Sequence, residues 1–72
     1  MSVAELEFVI FCIEEVAIRL QLPGNVVYDM LTKQSDILFH YIVPSYDVLH
    51  TQGKEYITED IISMMREKGL VS

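Results

Sequence analysis

The chain has 72 residues, 51% of them hydrophobic and 22% charged, with a formal net charge of -6. That length bounds it to a single domain, burying only about 60% of the surface its unfolded chain exposes, and its one cysteine, Cys12, excludes an internal disulfide. The acidic field repels phosphate backbones and anionic lipid, and Arg19, Lys33, Lys54, Arg66 and Lys68 form no cluster in sequence, so nucleic-acid binding is disfavoured.

Ala4 to Gln21 is the longest predicted helix. Ser2 is placed to cap it, and Glu5, three residues later, completes a capping box. Projected at roughly 100° per residue, Leu6, Val9, Ile10, Ile13, Val16, Ala17 and Leu20 gather into one broad stripe, which is the expected core face. Phe8, Phe11 and Ile18 fall opposite, among Glu7, Glu14, Glu15 and Arg19. An apolar patch inside an acidic rim calls for a cover: another part of the chain, a second copy, or a different protein. The last two are favoured, because the intervening glutamates make complete burial costly. Phe8, Phe11, Glu14, Glu15 and Ile18 are therefore the expected partner-binding residues.

Leu22-Pro23-Gly24-Asn25 ends that helix, since proline restricts the residue before it and has no N–H to donate. Asn25 to Lys33 follows as a short amphipathic helix with Val27, Met30 and Leu31 inward, closed by the polar break Gln34-Ser35-Asp36, where Ser35 or Asp36 can cap the next element. Ile37 to Val43 is nearly all apolar and fits a buried strand or a buried helix. Helix is favoured, because an isolated strand has nothing to pair with. Pro44 then either kinks one helix or starts another that runs from Ser45 to His50, and Gly53 is expected in the left-handed conformation past its end. Thr58 to Lys68 is predicted as the last helix, capped by Thr58, with Ile61, Met64 and Met65 inward and a Schellman ending at Gly69-Leu70. A short extended piece is allowed for at Lys54 to Ile57. The expected fold is all-α: one compact domain, residues 1–72, of about four short helices.

No constellation for catalysis emerges. Ser45, Asp47 and His50 are the residue types of a hydrolytic triad, but three positions on successive turns of one short helix do not supply the geometry. Cys12, His40 and His50 fall short of a zinc spacing, and no glycine-rich phosphate loop is present. The chain is thus expected to be no enzyme, with no catalytic, cofactor-binding or metal residues and no small-molecule ligand. Tyr28, Tyr41, Tyr46 and Tyr56 fit the rim of the core better than interface anchors. The longest apolar run, Phe8 to Ile13, is far short of the roughly 20 residues a membrane span needs, and Glu5 and Glu7 stand where a signal peptide would be basic. A cytoplasmic location is expected. The alternative function is a small helix-turn-helix regulator built from Asn25 to Lys33 and Ile37 onward, although the second segment holds no Arg or Lys for base edges.

Three stretches carry a resemblance: Pro44-Ser45-Tyr46-Asp47, Leu49-His50-Thr51-Gln52, and Glu59-Asp60-Ile61, preceded by Phe8 to Glu14. Over nearly its whole length the chain resembles a small bacterial domain family of unknown function. Gly53 departs from it, standing where a serine or similar residue is expected. The resemblance implies a stand-alone helical module, often encoded beside genes for ADP-ribosyltransferase-like proteins, and hence an accessory or antitoxin-like partner. It supplies no catalytic residues.

Overall fold

In the computed structural model, which describes residues 1–72, the first helix, α1, runs Val3–Leu20. Its start is the expected capping box: the Glu5 N–H donates to Ser2 Oγ (3.1 Å) and the Ser2 N–H donates to the Glu5 carboxylate (2.8 Å). Two of the first orphan donors are thereby satisfied. The inward face differs from the expected stripe. Phe8, Val9, Cys12, Val16 and Ala17 are buried, whereas Leu6 and Ile10 are 50% and 48% exposed. The helix is rotated by roughly 80° about its axis from the orientation the aliphatic residues alone suggest. Two contacts fix that rotation: Phe8 lies edge-on to Tyr46, and Arg19 reaches Glu55 and Glu59. A buried phenyl ring removes more apolar area from water than either aliphatic side chain it displaces.

α1 ends at Gln21, whose φ of 58° is left-handed, with the Leu22 N–H donating to the Ala17 carbonyl at 3.0 Å. A side chain there is strained. Gln21→Gly is expected to stabilise the fold by roughly 0.5–1 kcal/mol, seen as a higher urea midpoint at unchanged m-value.

Pro23 then opens α2, Gly24–Thr32, which buries Val27, Met30 and Leu31. Ser35 makes the predicted break, donating to the Met30 carbonyl (2.8 Å) and accepting from the Ile37 N–H (3.3 Å). The apolar run that follows is helical but wide: Leu38–Ile42 forms a π turn, with the Val43 N–H donating five residues back to the Leu38 carbonyl at 3.0 Å. Pro44 accounts for it. In an α-helix its ring would press on the carbonyl four residues back, and a π turn opens that space. Ile37, Leu38 and Ile42 enter the core. The chain then restarts beyond a turn at Val43 to Ser45 as α3, Tyr46–Leu49, so the segment is two elements rather than one kinked helix.

The last helix, α4, spans Lys54–Glu67 and starts one turn earlier than expected. Gly53 is its N-cap in extended conformation (φ -72°, ψ 158°), so neither the left-handed Gly53 nor an extended Lys54 to Ile57 is found. Thr58 is no cap: it is buried inside the helix and donates to the Lys54 carbonyl at 2.8 Å. The earlier start brings Ile57 into line with Ile61, Ile62 and Met65 on the buried face, while Met64 is only half-buried. The Schellman ending is complete, with Gly69 at φ 76°, the Gly69 N–H on the Arg66 carbonyl (3.0 Å) and the Leu70 N–H on the Met65 carbonyl (2.9 Å). The fold is all-α, with α2 and α4 packed on α1 around one apolar core.

Candidate functional site

The rotation of α1 redistributes the residues expected to bind a partner. Phe8 is 9% exposed and belongs to the core, its ring 5.5 Å from Tyr46 at an interplanar angle of 75°. Phe11 lies beside it, half-buried, at 6.3 Å between ring centroids. Phe8 faces α3 and Phe11 packs against the core, so both are corrected from outward to inward. Tyr46 in turn stacks on His50 at 4.3 Å, so the aromatic groups form one row from α1 to the end of α3. Glu15 points across to α4, 3.9 Å from the Lys54 ammonium. Of the five residues, Glu14 and Ile18 remain exposed, and they share the outward face of α1.

That face holds two apolar residues that the helical projection assigns to the core, Leu6 and Ile10. Val3, Leu6 and Ile10 are all at least 48% exposed, and with Ile18, at 70%, they make the outward side of α1 predominantly apolar. Glu7 and Glu14 are its charged members. No cation balances them, because Arg19 is turned to Glu55 (2.7 Å) and Glu59 on α4. A signal for this surface lies in the spacing: Val3, Leu6, Ile10, Ile13, Ala17 and Leu20 recur alternately three and four residues apart, a heptad seam that shares all but Val3 with the broad stripe.

The other candidates are held locally. His50 Nδ1–H donates to the Tyr46 carbonyl at 2.6 Å, which commits the nitrogen that an orienting Asp47 would need. His40 lies 3.3 Å from Asp36, whose carboxylate also faces Lys68 at 3.6 Å. No pocket opens in the surface, and no three metal-ligating side chains converge. The second element of the helix-turn-helix alternative is the π turn, with Leu38 and Ile42 buried and Phe39 and His40 outward. It presents no Lys or Arg to a DNA groove.

Two protons are held unusually tightly. Burial pushes the Cys12 thiol from 9.0 to about 12, and the hydrogen bond from Tyr41 to the Asp60 carboxylate, aided by desolvation, raises Tyr41 from 10.0 to about 12. The folded chain therefore binds more protons than the unfolded chain between pH 9 and about 12, and stability falls as pH rises through that window. Below pH 9 their contribution is complete. Urea midpoints measured against pH should show an alkaline decline that Cys12→Ala combined with Tyr41→Phe flattens.

A family described as "Protein of unknown function (DUF3791)" matches residues 7–68. The chain belongs to this family. It is the family that the Pro44 to Asp47 and Leu49 to Gln52 motifs resemble, and no activity is assigned to it. No curated protein and no solved structure matches the chain. No helix of this DUF3791 domain is long and apolar enough to cross a membrane.

Proposed function

We propose that this DUF3791 chain is a cytoplasmic protein–protein interaction module with no reaction of its own, and that the outward face of α1 is its contact surface. The observation that carries the reading is the exposure of Val3, Leu6, Ile10 and Ile18 on one side of a helix whose opposite side is packed in the core. Contiguous exposed apolar side chains rimmed by charge are the usual mark of a protein-binding surface. The family resemblance supplies the partner class: an ADP-ribosyltransferase-like protein, to which this chain is an accessory or antitoxin-like subunit. Occlusion is the mechanism that fits, with Glu7 and Glu14 engaging basic residues near the enzyme's nucleotide or substrate site while the apolar ridge fills a groove.

The test is direct. The two purified proteins are mixed at micromolar concentration, complex formation is followed by light scattering, and transferase activity is assayed with and without the module. A complex with altered activity supports the reading; no complex and unchanged activity reject it.

A further inference from the structure

We infer that the occupant of the open α1 surface is an amphipathic helix with Lys or Arg beside its apolar stripe, and not a second copy of this chain; this rests on the interaction surface proposed above. The heptad seam gives the shape of the occupant. Residues alternating three and four apart accept a second helix at a shallow crossing angle, knobs into holes. Half of the seam is already covered within the fold. A Cβ on Gly24, at the start of α2, would sit 3.9 Å from Ile13 Cγ2, Ala17 is buried, and Leu20 is packed against the core. The other half, Val3, Leu6 and Ile10, continues the same line with nothing on it.

The charge of the occupant follows from the edges of the seam. Glu7 and Glu14 directly follow Leu6 and Ile13 and form one edge, both exposed, and neither is ion-paired. On the other edge, Val9 and Val16 are buried in the chain's own core. A helix lying in the seam thus meets charge on one side, and that charge is wholly negative. A second copy fits badly. Antiparallel pairing over the open half of the seam sets Glu7 of each copy beside Glu7 of the other, adding like-charge repulsion between two chains of net charge -6. Parallel pairing needs the edge that Val9 and Val16 have already buried. Cations on a different helix satisfy both glutamates.

The test uses two synthetic helical peptides of about three heptads, alike in their leucine stripe, one flanked by lysines and the other by glutamates. Binding to the intact chain is read by fluorescence anisotropy, with circular dichroism to confirm that every variant is folded. The lysine peptide should bind at least roughly tenfold more tightly than the glutamate peptide, and the paired substitution Glu7→Lys, Glu14→Lys should invert that preference. Leu6→Asp with Ile10→Asp should abolish the binding. Equal binding of both peptides overturns the inference, as does lysine-peptide binding that survives Leu6→Asp with Ile10→Asp, which would mean charge attraction alone. A wild-type dimer that this pair of aspartates turns into a folded monomer also overturns it, while leaving the surface itself in place. If neither peptide binds but the ADP-ribosyltransferase-like protein is captured by the wild type and lost with the two aspartates, the occupant class fails and the proposed function stands.

Discussion

Val16→Asp is expected to abolish cooperative folding, with loss of the helical circular dichroism signal and of any thermal transition at neutral pH. Val16 is completely buried at the centre of α1. Aspartate is close to valine in size, so the effect is electrostatic rather than steric. Every buried side-chain polar atom in the chain already has a partner, and the cation on this helix, Arg19, is engaged by Glu55 and Glu59. The new carboxylate would find neither donor nor counter-charge. Ionised, it bears the full desolvation penalty; neutralised, it must bind a proton well above its normal range. Either route costs about 4 kcal/mol or more. At roughly 0.05–0.15 kcal/mol per residue, a domain this short has a total stability of the same order. Val16→Ala, which loses only methyl groups, should cost about 2 kcal/mol and keep a folded baseline. A Val16→Asp chain with a wild-type melting curve would refute the placement of α1.

The local rules were legible in the sequence and the docking was not. Ser2 with Glu5 and Gly69 with Leu70 are readable because each motif closes its own hydrogen bonds within a few residues. Pro44 is readable as a break, yet the break alone does not choose between a kinked helix, a restart and the wide π turn that accommodates its ring. The local pattern favours Thr58 as the start of α4, whereas the structure caps it at Gly53. The earlier start goes with the burial of Ile57, which depends on distant packing. The candidate surface has the same history. From Leu6 to Ile13, α1 carries apolar side chains on nearly every side apart from Glu7, so periodicity admits more than one inward direction. Tyr46, Glu55 and Glu59 select one, and all three lie far along the chain. Ile18 and Glu14 could be placed outward from the sequence because they are exposed in either orientation; Leu6 and Ile10 exchange places with Phe8 when the helix turns.

That exchange makes Phe8→Ala and Ile18→Ala a decisive pair. Phe8→Ala is expected to cost about 3 kcal/mol or more, because a ring that is almost fully buried and set edge-on to Tyr46 leaves a cavity between α1 and α3 when removed. Ile18→Ala should change stability by less than about 0.5 kcal/mol, since that side chain is largely in water already. Urea unfolding of the two variants measures the contrast, and similar midpoints would return Phe8 to the surface. Binding then divides the residues a second way. A Phe8→Ala chain binds a partner less well only in proportion to its unfolded fraction, so cooling toward the temperature of greatest stability should restore its affinity. Leu6→Asp with Ile10→Asp leaves the folded fraction intact and removes the contact itself, and for that variant no change of temperature should recover binding.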